Sequence, residues 1–197
     1  MRVIGLTGGM AMGKSTAAQF YRRHHVPVFD ADAMVRQLQS PQGAAIPALR
    51  HAFPEAITAS GLDRSALREI VLADPERLAR LESIMHPLVR AAERRFRAQA
   101  QRAGARLCVL DIPLLFETHA NQRVDLVVTV SAPLAVQLHR IRKQRRLPEH
   151  QIKSILHRQS PDALRRKRAD LVVHTGLSRH HALKKLKAHL LQLLAKD

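Results

Sequence analysis

The chain contains few of the residues that form disulfides or stack on nucleic-acid bases. Its 197 residues include one cysteine, Cys108, no tryptophan and one tyrosine. One cysteine excludes an internal disulfide, and the apolar run around Cys108 predicts a buried thiol in a reducing compartment. No N-terminal signal is visible, and no apolar run approaches the length of a membrane span. We therefore expect a cytoplasmic protein without a membrane partner, with a chain long enough to bury a sizeable core.

Acidic residues are also scarce. The chain has 16 acidic residues against 33 lysines and arginines, which gives a net charge of +17. We interpret this excess as a basic surface that raises the local concentration of small anionic substrates. Nucleic-acid binding is the more specific alternative. However, the basic runs lack the interleaved aromatic residues that stack on single strands. Binding of acidic membrane surfaces has the least support.

A phosphate-binding pattern stands near the start of the chain. The stretch Gly8–Thr16 fits G-x-x-x-x-G-K-[ST]. It follows an apolar run at 3–6 that predicts a strand, and residues 16–20 after it predict a helix, as this motif requires. The loop amides and the helix N-terminus would bind a polyphosphate. Lys14 is expected to neutralise the β- and γ-phosphates, and the Ser15 hydroxyl is expected to bind Mg²⁺.

One loop position departs from the usual pattern. Ala11 stands where most such loops carry a third glycine, commonly because φ is positive there. An alanine in that conformation carries strain of about 1 kcal/mol. Ala11 and Met12 are therefore the first place to expect weakened ATP binding. The residues assigned to nucleotide binding are Gly8, Gly9, Ala11, Met12, Gly13, Lys14, Ser15 and Thr16.

Short apolar runs alternate with helical patterns, which predicts an α/β fold: a P-loop NTPase core with a five-stranded parallel sheet and helices on both faces. The predicted strands are 3–6, 26–29, 107–112, 124–130 and 171–173. Asp63, Asp74 and Ser178 predict helix caps. Pro87 predicts a kink or break in the helix over 76–100. The last helix is amphipathic, with an apolar face of Leu183, Leu186, Leu190, Leu193 and Leu194.

A pair of aspartates follows the second predicted strand. In an open α/β sheet, ligands bind outside the carboxyl ends of the strands. Asp32 is therefore a candidate general base, or a holder of water around Mg²⁺. The alternative is that Asp30 and Asp32 cap the following helix. Arg36 lies one helical turn after Asp32, where it would steady the carboxylate or hold a substrate phosphate.

One further aspartate and one basic run each have two possible roles. Asp111 follows an apolar strand and resembles a Walker-B carboxylate, so it would either assist Mg²⁺ or cap the turn before Pro113. The basic run Arg165–Arg168 is expected to be a solvated helix end. Contact with nucleotide phosphates is the alternative for this run.

Together these motifs resemble the dephospho-CoA kinase family over nearly the whole length. The phosphate loop alone is shared by many NTPases, whereas the Asp-Ala-Asp, His-Pro and Pro-Leu-Leu-Phe-Glu segments are far more specific. The matching stretches are Leu6–Gly9 with Gly13–Thr16, Phe29–Asp32 with Arg36, Leu62–Arg64, His86–Val89, Ile112–Glu117, Gln137–Arg140, Gln159 and Ala169–Asp170.

The resemblance implies transfer of the ATP γ-phosphoryl group to the ribose 3′-hydroxyl of dephospho-CoA, with Mg²⁺. Asp32 matches the family's general base, and Arg140 matches a lid arginine that would stabilise charge on the transferring group. Lys14 and the loop amides would bind ATP. The implied acceptor-binding residues are Arg36, His86, Pro87, Leu114, Leu115, Phe116 and Glu117.

The resemblance also implies a domain plan. We expect one kinase domain over 1–197, with a core of 1–33, 104–139 and 167–197. A helical CoA-binding insertion would occupy 34–103, and a small basic lid 140–166, interrupted at Leu147-Pro148.

The departures from the family touch the ATP side. The loop reads Gly-Met-Ala-Met-Gly instead of Gly-Ile-Gly-Ser-Gly. Gln144 stands where the family often has a second lid arginine, and Arg142, Arg145 or Arg146 would have to substitute. A stretch at 174–176 replaces the usual asparagine near the adenine. The competing functions are a kinase for another small nucleoside and a nucleic-acid-binding protein with a degenerate kinase core.

Overall fold

The structure is a computed structural model that describes residues 1–145 and 160–195. The strands are β1 (Arg2–Gly8), β2 (Val28–Asp30), β3 (Ile57–Thr58), β4 (Gly61–Leu62), β5 (Leu107–Asp111), β6 (Leu126–Ser131) and β7 (Leu171–His174). The helices are α1 (Lys14–Arg23), α2 (Ala31–Leu38), α3 (Ile46–Ala52), α4 (Arg64–Ala73), α5 (Pro75–Arg102), α6 (Leu134–Arg145), α7 (Asp162–Lys167) and α8 (Arg179–Ala195). Within the described ranges, no helix combines the length and the apolar character needed to cross a bilayer.

The chain forms two compact units. The first comprises Met1–Phe29 with Ala100–Asp197, and the second comprises Asp30–Gln99. The boundaries expected from the sequence for the insertion, 34–103, stay a prediction. So do those of the lid, 140–166, which includes residues outside the described ranges.

The first unit contains the predicted five-stranded parallel sheet, in the order β2-β5-β1-β6-β7. Each central strand is apolar along its length because helices cover both faces of the sheet. β5 is buried at every residue. β2 adjoins β5 and not β1, so one strand separates the aspartate-bearing strand from the strand that leads into the phosphate loop. All five predicted strands are confirmed, with each end within two residues of its predicted place.

The core of the first unit lies between the sheet and the helices α1 and α8. Tyr21 on α1 is fully buried, and Phe20 beside it is 6% exposed. The predicted apolar face of α8 is confirmed, because Leu186, Leu190 and Leu193 are buried. Leu183 and Leu194 pack against the same cluster. This burial holds the two ends of the chain against one sheet.

The second unit is mostly helical and has its own apolar core. Leu49 and Phe53 are fully buried there, and Leu67 on α4 is 3% exposed. The guanidinium of Arg77 lies 5.3 Å from the centre of the Phe53 ring, a cation–π contact. The antiparallel pair β3-β4 also belongs to this unit. The sequence did not predict it, because two-residue strands carry no detectable alternation.

The three predicted helix caps are confirmed. The Asp63 carboxylate accepts from the amides of Ser65 and Ala66 at 2.8 and 3.0 Å. Asp74 accepts from the Glu76 amide at 2.8 Å, and Ser178 from the His181 amide at 3.1 Å. Each cap satisfies backbone donors that have no partner within the helix.

Of the expected kink or break at Pro87, the break is not present, and the kink stays a prediction. α5 runs without interruption from Pro75 to Arg102 with Pro87 inside it. A proline removes one helical hydrogen bond, but tertiary packing contributes more to helix stability than any single bond. Met85 is buried in the core of the second unit, and Leu88 packs against it. These contacts lie on both sides of the proline and hold the helix together.

We predict that Asp63→Ala lowers the free energy of unfolding by about 1 kcal/mol, because two amides at the start of α4 lose their acceptor. Asp63→Asn retains a side-chain oxygen and should unfold close to the wild type. Urea denaturation followed by circular dichroism measures both. An equal loss in the two variants would contradict the cap assignment.

Candidate active site

The phosphate loop connects β1 to α1 at the carboxyl edge of the sheet. Gly13 precedes the helix with φ 93°, and no side chain caps the helix start. The first turn of α1, with Lys14 and Ser15, contains no acidic residue. The positive end of the helix is therefore not neutralised by its own side chains, which favours an anion there.

Two glycines of the loop are explained by the structure, Gly8 by close approach and Gly13 by its backbone conformation. A Cβ on Gly8 would lie 2.2 Å from the Val130 Cγ2 atom and 2.9 Å from the Val130 carbonyl oxygen. Gly8 and Val130 are partners in the β1–β6 register, so neither backbone can retreat. Gly13 combines its positive φ with Thr175 atoms 3.3–3.5 Å from where its Cβ would stand. A side chain at Gly8 would displace the loop, whereas a side chain at Gly13 would be strained by the left-handed φ.

Ala11 has the backbone conformation that the sequence predicted for it. Its φ is 58°, in the left-handed region. Glycine adopts this region freely, whereas an alanine there carries strain of about 1 kcal/mol. Because the surrounding contacts must hold this conformation, the loop depends on them more than a loop with glycine at this position would.

The loop lysine faces a buried carboxylate on the neighbouring strand. The Lys14 Nζ atom lies 2.7 Å from the Asp111 Oδ1 atom, and the Asp111 side chain is 5% exposed. Asp111 ends β5, which pairs directly with β1. Of the two alternatives left open, this geometry favours a role in the phosphate site for Asp111. Sequence reasoning proposed both residues separately and missed that they form a pair.

The segment after β5 divides between core and surface. Leu115 is fully buried and Phe116 is 5% exposed, whereas Leu114 is 41% exposed. The Pro113 carbonyl accepts a hydrogen bond of 2.9 Å from the Thr7 hydroxyl on β1. Leu115 and Phe116 therefore have a packing role in this structure, and Leu114 is the exposed apolar side chain of the segment.

Glu117 ends that segment in a partly buried position. Its Oε1 atom accepts from the Ser160 amide at 2.8 Å. Its Oε2 atom is buried and has no partner among the described residues. Burial raises the pKa of the Glu117 carboxyl, but the hydrogen bonds from Ser160 and the positive charge of Arg165 outweigh it, so the pKa is lowered. Glu117 is thus held as a carboxylate.

The expectation that the whole run Arg165–Arg168 is solvated is wrong for Arg165, which is 4% exposed. Its guanidinium donates to the Ser160 carbonyl at 2.6 Å and lies 3.4 Å from an Asp162 oxygen. The Nη2 atom also lies 3.8 Å from the Met12 sulfur, beside the phosphate loop. Periodicity over a six-residue helix gave no signal that would separate Arg165 from its exposed neighbours.

A cleft of about 450 Å³ opens beside the loop in the first unit. Met12, Gln137, Asp162 and Arg165 line it together with residues at the carboxyl end of β6. Arg140, the predicted lid arginine, also belongs to this region. Its guanidinium lies 3.5 Å from the Ala11 carbonyl oxygen. The predicted substitutes for a second lid arginine remain predictions, and Arg146 lies outside the described residues.

The other predicted site residues belong to the second unit. Asp30 caps α2, because its carboxylate accepts from the Ala33 amide at 2.8 Å. Asp32 lies in the first turn of the same helix and is exposed, as is Arg36 in the last turn. His86 and Pro87 are exposed on α5. The capping alternative therefore holds for Asp30, while Asp32 keeps an accessible carboxylate.

The oxygen donors of the first unit fit Mg²⁺. The Ser15 side chain is exposed at the helix start, and Asp111 contributes a carboxylate nearby on β5. Among the described residues, no group of three or more histidine, cysteine, aspartate or glutamate side chains forms a metal cluster. Mg²⁺ bound to nucleotide takes few protein ligands and keeps phosphate and water oxygens, so two oxygen donors suit it.

Comparison with known proteins places the chain in a family. The dephospho-CoA kinase family model matches residues 2–179. The dephospho-CoA kinase of Gluconobacter oxydans is 50% identical over 197 residues, covering 98% of each chain. That of Bradyrhizobium diazoefficiens is 43% identical over 195 residues, covering 99% of this chain and 95% of its own. A crystal structure from Thermus thermophilus is 35% identical with a TM-score of 0.86, covering 98% of this chain and 97% of that one. With a match along nearly its full length, added to the phosphate loop, the chain belongs to the dephospho-CoA kinase family.

Proposed function

We propose that this chain transfers the γ-phosphoryl group of ATP to the ribose 3′-hydroxyl of dephospho-CoA, giving coenzyme A and ADP. The observation that carries the proposal is the phosphate loop, with Lys14 set 2.7 Å from Asp111, in a chain that matches the dephospho-CoA kinase family over residues 2–179. Kinases of this family use ATP, and the loop geometry supplies the phosphate site that ATP needs.

Lys14 has the donors that this role requires. An ammonium group carries three N–H donors, and one of them is directed at Asp111. The other two are available for the β- and γ-phosphate oxygens. The Asp111 carboxylate thereby orients the ammonium group toward the carboxyl edge of the sheet, where the loop amides also lie.

Ser15 and Asp111 are the residues proposed to hold Mg²⁺. The ion, when bound with ATP, neutralises charge on the phosphates. Arg140 is proposed to stabilise the charge that develops on the transferring group. Arg140 lies on α6, which begins three residues after the end of β6. The start of this helix is therefore anchored at the carboxyl edge of the sheet.

Asp32 is the proposed general base. It accepts the proton of the 3′-hydroxyl as the oxygen forms its bond to the γ-phosphorus and the bond to ADP breaks. The exposed carboxylate of Asp32, two residues beyond the end of β2, supports this role. Arg36 lies four residues later on α2 and would steady the carboxylate or hold a substrate phosphate.

The acceptor-binding residues are proposed from the family resemblance and from exposure. His86 and Pro87 are exposed on α5, and Leu114 presents an apolar side chain after β5. Glu117 supplies a negative charge to the same segment. Leu115 and Phe116 would act through the shape of that segment, because their own side chains are buried.

We predict that Asp32→Asn lowers kcat by about 10²–10⁴-fold, because the amide cannot accept the hydroxyl proton. The KM values for both substrates should change little, since the amide has nearly the same shape. A coupled ADP-release assay with dephospho-CoA as acceptor measures this.

Asp30→Asn is the matched control for that experiment. Asparagine is as good a helix cap as aspartate, so this variant should retain near-wild-type turnover. Near-normal turnover in Asp32→Asn would overturn the assignment of the base. Wild-type enzyme that releases no ADP when dephospho-CoA is supplied would overturn the proposed function itself.

We predict that Lys14→Ala lowers kcat/KM for ATP by about 10²–10³-fold, because a charge aimed at the phosphates is removed. It should also lower the free energy of unfolding by about 1–3 kcal/mol, because buried Asp111 loses its charged partner. Adding Asp111→Asn should recover stability without recovering activity. Unchanged ATP kinetics in Lys14→Ala would refute the phosphate role.

A further inference from the structure

Three successive carbonyl oxygens of the phosphate loop are held by side chains from outside the loop. The donor–acceptor pairs are Gln137 Nε2 with the Met10 oxygen at 2.9 Å, Arg140 Nη1 with the Ala11 oxygen at 3.5 Å, and Thr175 Oγ1 with the Met12 oxygen at 2.7 Å. Two of the donors come from α6, and the third follows β7. All three lie in the first unit.

The donors are themselves fixed. The Thr175 amide donates to the Ser131 carbonyl at 2.8 Å, which anchors the residue to the end of β6. Arg140 donates to the Thr175 carbonyl at 2.7 Å and approaches its hydroxyl at 3.3 Å. Gln137 is 3% exposed. A hydroxyl has one proton, and its contact with the Met12 oxygen is shorter than its 3.3 Å contact with the Ser131 oxygen, so Thr175 donates to the loop.

Because these carbonyl groups are held in place, the N–H groups that follow them are held in a fixed orientation as well. In a trans peptide the C=O and the following N–H point in opposite directions. The bond from Gln137 therefore directs the Ala11 N–H away from α6, and the bond from Thr175 directs the Gly13 N–H away from β7. The Met12 N–H is already used within the loop, since it donates to the Gly9 oxygen at 3.1 Å. The two short outside bonds thus orient two further amides of the loop, those of Ala11 and Gly13.

The strain at Ala11 makes this outside support necessary. With φ at 58°, Ala11 would be more stable in an ordinary conformation, because its Cβ crowds the backbone in the left-handed region. That relaxation would rotate the two flanking peptides, Met10–Ala11 and Ala11–Met12, and would shift the next one. Gln137 holds the first of these three peptides through the Met10 oxygen, and Thr175 holds the third, Met12–Gly13, through the Met12 oxygen. The stabilisation that two neutral hydrogen bonds contribute together is large enough to oppose the release of this strain.

We propose that Gln137 and Thr175 are positioning residues for ATP: they hold the strained loop with its amides turned toward the phosphates. The proposal rests on the proposed function in one respect, that ATP is the ligand of the loop. It assigns the two residues no contact with the transferring group.

Thr175→Val tests the proposal, because valine keeps the shape of threonine and removes the donor. The Kd for ADP in the presence of Mg²⁺, and the KM for ATP, should each rise by about 3–10-fold, the worth of one neutral hydrogen bond. The KM for dephospho-CoA should stay unchanged. Thr175→Ser, which retains the hydroxyl, should bind nucleotide within about twofold of the wild type.

Gln137→Met provides a second position with the same expectation, since methionine matches glutamine in length and lacks the donor. Thermal unfolding of each variant gives the readout for a purely structural role. An equal loss of nucleotide affinity in Thr175→Val and Thr175→Ser would overturn the proposal. Wild-type affinity in both Thr175→Val and Gln137→Met would also overturn it.

Calorimetry separates this proposal from the proposed function, because it measures nucleotide binding without turnover. If the wild type binds ADP but does not phosphorylate dephospho-CoA, the proposed function fails. The comparison of Kd values between Thr175→Val and Thr175→Ser then still decides whether the hydroxyl positions the loop.

Discussion

A loop that binds an anion through its backbone must turn its N–H groups inward, and its carbonyl groups then point outward and need donors of their own. In this protein those donors come from the residues that follow the neighbouring strands of the sheet. Gln137 lies on the helix after β6, and Thr175 follows β7. The geometry of the phosphate site therefore depends on the strand order β1-β6-β7, which sets both segments beside the loop. The sheet is the reason that a loop with a strained alanine can keep the shape of an anion site.

The positions of the partly buried charges in the first unit are also set by the sheet. The ion pair between Lys14 and Asp111 joins the loop to β5, and Glu117 lies in the field of Arg165. Much of the attraction in such buried pairs offsets the cost of removing the charges from water. Their main consequence is orientation: an ammonium group aimed at one edge of the sheet, and a carboxylate kept ionised at the end of the segment after β5. These groups lie where the strands end, because only there can long polar side chains leave the apolar layers.

Much of the fold was predictable because its signals are local. Apolar runs of three to seven residues predicted all five sheet strands. Aspartate or serine before an apolar period predicted three caps that the structure confirms. The break allowed for at Pro87 is absent, because tertiary packing overrides the local rule and α5 continues through the proline. The prediction was wrong at Arg165, which contacts Ser160 and Met12 outside its helix as well as Asp162 within it. The short β3-β4 pair carried no pattern long enough to detect.

The sequence alone determined the strand–loop–helix unit that binds phosphate, because its glycines, lysine and flanking apolar runs are adjacent in the chain and act through local backbone geometry. It also indicated a positive φ at Ala11, because most such loops carry glycine at this position, and the structure has that conformation. Only the tertiary structure decided which groups meet across long separations. Lys14 and Asp111 are 97 residues apart, and Thr175 and Met12 are 163 apart. Contacts of that kind follow from the order and register of parallel strands, which leave no periodic trace in the sequence.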